Sequence, residues 1–113
     1  MVSSYKSELH CAIEAAQIAG SYLRECFPDS RITGHTADTE AELRIWRVLS
    51  QAFPDYGYRG EELRTKTKPA DRQGLLWLVD PNDGTSAFER GFRGAAVSIA
   101  LLRDGVPVLG VVY

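Results

Sequence analysis

A chain of 113 residues with 44% hydrophobic residues and a net charge of −2 can bury one packed core and little more. A pI near 5.6 with scattered Lys and Arg argues against an electrostatic binder of nucleic-acid polymer or of a membrane surface. No apolar run approaches the ~20 residues of a membrane span, and Ser3, Ser4, Lys6 and Glu8 leave no apolar stretch for a signal peptide.

Residues from about Ser4 to Phe27 read as one helix. Tyr5, Leu9, Ala12, Ile13, Ala16, Gly20, Leu23 and Phe27 recur at three- and four-residue steps along one face. Pro28-Asp29 ends it. Cys11 and Cys26 are the two cysteines and both fall on this helix. At 1.5 Å per residue they stand about 22 Å apart, too far for a disulfide. Reduced thiols and the absent export signal point to the cytoplasm.

Arg31 to Thr36 is short and partly β-branched, an expected edge strand. A second helix is expected from about Ala37 or Asp38 to Phe53, with Ala41, Ile45, Trp46, Val48, Leu49 and Ala52 as its apolar face. Thr39 and Glu42 have the spacing of a capping box. Pro54-Asp55 stops this helix, and Tyr56 to Gly60 forms a short strand with Glu61 at its end.

Leu63 to Gly74 is polar, broken by Pro69, and reads as a mobile loop. Leu75 to Val79 is a continuous apolar run, the signature of a buried central strand. Ala95 to Leu102 and Val106 to Tyr113 flank Arg103-Asp104-Gly105, a hairpin signal. These two strands are apolar at nearly every position, as strands covered on both faces are. Two helices followed by four or five strands make an α+β fold, two long helices packed on a mainly antiparallel sheet.

The central strand delivers Asp80-Pro81-Asn82-Asp83-Gly84-Thr85. Pro81 fixes φ and removes an N–H, so a sharp turn is expected where Asp80 and Asp83 sit. Thr85 and Ser86 are placed to open one helical turn. Two acids on a tight turn beside a helix start can hold a hard cation and a phosphate together. A second acidic pair, Glu61-Glu62 after Gly60, lies about 20 residues upstream. His10 and His35 stand outside any cluster, Trp46 and Trp77 sit in apolar patterns, and Phe88 reads as packing beneath the turn.

An apolar strand running into D-P-x-D-G-T-x-x-F, with G-E-E before it, resembles the inositol monophosphatase family of metal-dependent phosphatases. The hairpin ending Gly110-Val111-Val112-Tyr113 is also similar. The resemblance implies the N-terminal portion of that family's layered αβ sandwich over residues 1–113, because the family continues beyond Tyr113 and its W-D-x-A-A-type segment is not in this sequence. It implies one Mg²⁺ held by Glu61, Asp80 and the backbone carbonyl of Asn82, and a second held by Asp80 and Asp83. Thr85 would hold the attacking water, with Asp38 polarising Thr85, so that Glu61, Thr85 and Asp38 form the catalytic set. The N–H groups of Gly84 and Thr85 would cradle phosphate.

The implied substrate is a small phosphomonoester such as inositol monophosphate. A 3′(2′),5′-bisphosphate nucleotidase shares the motif, and a non-catalytic module binding metal or phosphate is the alternative outside enzymology. The implied partners are a C-terminal half or a second copy of the chain, with neither nucleic-acid polymer nor membrane. Asn82 replaces the apolar residue common in the family, which is tolerable where only the carbonyl binds. Phe27 to Gly34 holds Asp29 but no Lys, a departure from the family's metal-proximal loop that weighs against a third metal.

Overall fold

The computed structural model describes residues 4–26, 34–83 and 96–113, with the side chains of residues 34, 35, 82 and 83 outside that description. Its elements are α1 (Lys6–Cys26), α2 (Gly34–Ala52), β1 (Gly57–Gly60), β2 (Leu75–Asp83), β3 (Ala96–Arg103) and β4 (Val106–Val112). The four strands form one sheet in the order β1-β2-β3-β4. β1 runs parallel to β2, and the other two pairings are antiparallel. α1 lies over β3 and β4, while α2 lies over β2. No helix is long and apolar enough to cross a membrane among the described residues.

The buried stripe of α1 is Cys11, Ala12, Ala15, Ala16, Ala19, Leu23 and Cys26. This differs from the expected face: Leu9 and Ile13 are each 37% exposed. Fully buried Ala37 and Ala41 on α2 complete a small-residue core contribution from both helices. Short side chains let helices approach closely, so the Ala-rich stripe takes the interior and the bulkier residues turn away. Both cysteines are buried and free, as their spacing requires.

α2 begins at Gly34, ahead of the Thr39/Glu42 pair, so that pair lies within the helix rather than at its start. Of the strand expected over 31–36, residues 31–33 lie outside the described residues and 34–36 are helical. The segment from Leu63 to Gly74 contains a 3₁₀ turn at Arg64–Lys66. It is pinned to β1 by reciprocal backbone bonds between Tyr58 and Lys68 at 2.8 and 3.0 Å. Polar composition alone does not make this loop mobile. The backbone of a loop that returns beside an edge strand satisfies that strand's open side.

β2 runs on through Pro81 to Asp83, where a sharp turn was expected. The chain keeps its ladder by a bulge. Asp80 pairs with Ser98 and Asp83 with Ala96, three steps on β2 against two on β3. Pro81 cannot donate to a ladder, and a bulge is where a strand tolerates it. The expected helical turn at Thr85 lies outside the described residues. The β3–β4 hairpin closes through Asp104 and Gly105, with φ of 51° and 80°. Positive φ at both central residues is the condition of the type I′ turn, whose twist matches the strands.

Inward-facing Trp77 and Val79 stand opposite Leu101 and Ile99, and these four are buried beneath the helices. Phe53 and Tyr56 each place their rings 6.1 Å from Trp77, closing the core at its β1 end. Tyr56 Oη donates to Glu8 at 2.8 Å and ties α1 to the same corner. The outward set on β2 is Leu76, Leu78 and Asp80, opposite Leu102, Ala100 and Ser98. Leu78 is 42% exposed, so within the described residues the helices cover one face of this sheet rather than both.

Replacing Ile45 by Ala should lower unfolding free energy by about 2–5 kcal/mol, the range for a fully buried aliphatic side chain. Replacing Leu78 by Ser should change it by about 0.5 kcal/mol or less, as at other exposed positions. Urea titrations of both variants with unchanged m-values would measure this. Equal losses at the two positions would contradict the layer assignment.

Candidate metal and phosphate site

The parallel register of β1 and β2 places Gly60 beside Val79. The next residue on each strand is therefore an acid, Glu61 on one and Asp80 on the other. The Glu61 N–H donates to the Val79 carbonyl at 3.2 Å, extending the alignment one step beyond β1. Two carboxyl groups 19 residues apart in sequence thus meet at adjacent strand ends.

A hydrogen bond joins the Glu61 and Asp80 side chains. That bond and the Asp80 charge push Glu61 up to about 7, and burial and the charges of Glu62 and Asp38 act in the same direction. Two facing carboxylates repel, so a proton or a cation must stand between them for the pair to be held. Asp38, 3% exposed in the early part of α2, is close enough for its charge to bear on Glu61. The structure therefore brings Glu61, Asp80 and Asp38 to one locality.

The backbones of Asn82 and Asp83 continue on β2 past Asp80, and their side chains lie outside the description. Gly84 and Thr85 lie outside the described residues altogether. Among the described residues, no group of three or more His, Cys, Asp or Glu side chains could hold a metal ion; Glu61 and Asp80 make a pair. The donor chemistry fits a hard divalent cation, since both groups are carboxylates. A recess of about 340 Å³ opens on the outer sheet face beside this pair, lined by Arg59, Gly60, Glu61, Leu78, Asp80 and Ser98 among others.

Glu42 is the residue of this region that sequence reasoning misread. It is fully buried. Its Oε1 accepts from the Glu62 N–H at 2.8 Å, and its Oε2 accepts from the Leu63 N–H and from Tyr58 Oη, each at 3.0 Å. The available signal was helical phase: Asp38 and Glu42 share the stripe of Ala41, Ile45 and Leu49. Charged residues on an apolar stripe require partners inside the protein.

The family description "Inositol monophosphatase family" matches residues 5–113. Inositol monophosphatase 1 of Solanum lycopersicum is 34% identical over 97% of this chain and 44% of its own length. Histidinol-phosphatase of Mycobacterium tuberculosis is 45% identical over 67% of this chain and 28% of its own. Among solved structures, the extragenic suppressor protein suhB from Bartonella henselae superimposes with a TM-score of 0.85 at 34% identity, covering 95% of this chain and 43% of that one. The chain thus spans less than half the length of these relatives. With the match running from Tyr5 to Tyr113 and the fold shared, this chain belongs to the inositol monophosphatase family.

Proposed function

We propose that this chain is the N-terminal portion of a cytoplasmic, Mg²⁺-dependent phosphatase acting on a small phosphomonoester such as inositol monophosphate. The observation that carries the proposal is the meeting of Glu61 and Asp80, like charges that need a cation or a proton between them. Membership of a family of metal-dependent phosphatases supports it. Similarity to both an inositol monophosphatase and a histidinol-phosphatase supports the broader substrate class of small phosphomonoesters.

In this reading Glu61, Asp80 and the Asn82 carbonyl would hold one metal, and Asp80 and Asp83 a second. A bound divalent cation supplies charge neutralisation, water activation and stabilisation of the leaving oxygen. Thr85 would hold the attacking water, and Asp38 would polarise the Thr85 hydroxyl. The N–H groups of Gly84 and Thr85 would bind phosphate oxygens. The remaining ligand and the substrate-hydroxyl contacts come from a C-terminal half.

Mg²⁺ or Mn²⁺ titration of the chain should perturb Glu61 and Asp80 resonances together, and Asp80→Ala should remove the response. Metal binding untouched by Asp80→Ala would sink the assignment.

The pH dependence has a definite sign. Glu61 is raised in the folded chain to about 7 from 4.5. Its contribution to metal-free stability is therefore complete below pH 4.5 and fades as pH rises through about 7. Solvent exposure of Glu61 keeps the effect small. Metal affinity should run the opposite way, weakening as pH falls below about 7 because the metal competes with the proton. Calorimetry in buffers of differing ionisation enthalpy would read proton release. Metal affinity independent of pH between 5 and 8 would contradict the pairing.

Turnover by the 113-residue chain alone should be negligible. Joined to the C-terminal half of a full-length relative, it should release phosphate from inositol monophosphate with Mg²⁺. Asp83→Asn in that joined protein should cost at least about two powers of ten, since each 1.36 kcal/mol of lost stabilisation is tenfold in rate. Robust Mg²⁺-dependent turnover by the chain alone would overturn the two-part reading.

A further inference from the structure

We infer that Glu42 is a positioning residue for the acidic site: its buried carboxylate fixes the turn that carries Glu61, without itself belonging to the ligand set. The inference rests on the metal-site reading above. Three successive backbone N–H groups follow β1, and each has a partner. The Glu61 N–H goes to Val79 of β2, and the Glu62 and Leu63 N–H groups go to the two oxygens of Glu42. The peptide units on either side of the Glu61 side chain are therefore anchored, one to the neighbouring strand and one to α2. That fixes the Glu61 backbone, and with it the direction in which its side chain leaves the turn toward Asp80.

Two further features support the assignment. A Cβ on Gly60 would collide with the Glu42 carboxyl group, so the residue before Glu61 has no side chain and α2 approaches closely at that point. Asp38 stands one helical turn before Glu42 on α2, so one anchor relates two acidic residues of the site to each other. Tyr58 adds a third donor from within β1. Glutamine cannot reproduce this. It has one acceptor oxygen, and its amide N–H₂ would face a backbone N–H, donor against donor.

The test uses ¹⁵N-labelled chain without metal and then with Mn²⁺. In the unsubstituted chain the Glu62 and Leu63 amides should be protected from hydrogen exchange; rapid exchange there would overturn the inference. Glu42→Gln should deprotect both amides, shift the Glu61 and Asp80 resonances, and weaken Mn²⁺ binding about tenfold or more, the scale seen when the partners that orient metal ligands are removed. Tyr58→Phe keeps both backbone bonds and should alter Mn²⁺ binding less than threefold. Ile45→Ala, on the same helix face, controls for lost stability and should leave the Glu61 and Asp80 resonances in place and Mn²⁺ affinity within twofold.

Equal weakening by Ile45→Ala and Glu42→Gln would mean that Glu42 acts through stability alone and would overturn the inference. So would Mn²⁺ binding unchanged in Glu42→Gln. Should Glu42→Gln fail to fold, Gly60→Ala takes its place, because its methyl group displaces the Glu42 carboxyl; the same signature is expected, and its absence would overturn the inference. If the unsubstituted chain binds no Mn²⁺, the metal reading fails by itself. The positioning inference is then decided by the metal-free spectra, and Glu61 and Asp80 resonances unmoved by Glu42→Gln would end it.

Discussion

A buried carboxylate is among the most demanding groups a small protein can contain, and Glu42 is fully buried. Removing an ionised group from water costs several kcal/mol unless hydrogen bonds replace its hydration. Two backbone N–H groups and one phenol do so here. The consequence reaches past one side chain. α2, β1 and the turn after β1 are held in one mutual arrangement, because moving any of them strips the carboxylate of a partner. Tyr58 reflects the same constraint from its own side: burial first, then the nearby Glu42 charge and their hydrogen bond, push its hydroxyl far above the ordinary phenol range.

The second organising fact is electrostatic. Strand pairing brings Glu61 and Asp80 together although their charges repel. The parallel β1–β2 register, the Glu61 N–H bond to Val79 and the anchored turn all bring the acids to the same strand ends. Their hydrogen bond and mutual charge raise Glu61 to about 7, the response expected of two acids that a proton or a cation would neutralise. Such opposition to local electrostatics is costly for stability and common at functional sites. Pro81 adds to this by forcing a bulge between Asp80 and Asp83, so the two acids of the motif do not follow the simple alternation of a regular strand.

Elsewhere the chain obeys ordinary rules. The small residues of α1 and α2 take the interior of the helical layer, and Trp77, Val79, Ile99 and Leu101 present one sheet face to the helices. The turns at the far end support each other. Asp71 Oδ1 accepts from the Gln73 and Leu75 N–H groups at 2.9 and 2.8 Å and opens β2. The Asp104 N–H of the hairpin turn donates to the Gly74 carbonyl at 2.9 Å. This end holds the strands in register so that, at the opposite end of β2, Asp80 falls beside Glu61.

Local chemistry was enough to read the two helices, the central strand, the Asp104-Gly105 hairpin, the free cysteines and the family resemblance. Each depends on periodicity, turn preference or motif spacing within a short window. Three features depended on tertiary structure. The buried face of α1 turned away from Leu9 and Ile13, because close helix packing favours the Ala stripe over the larger side chains. Asp80 to Asp83 stayed in the strand, because pairing with β3 outweighed the local turn preference of Asp-Pro-Asn-Asp. Glu42, read as a helix cap from its spacing to Thr39, became the anchor of the Glu61 turn. A cap is defined by near neighbours in the chain, whereas the donors to Glu42 lie 16 to 21 residues away and meet it only once α2 packs beside β1.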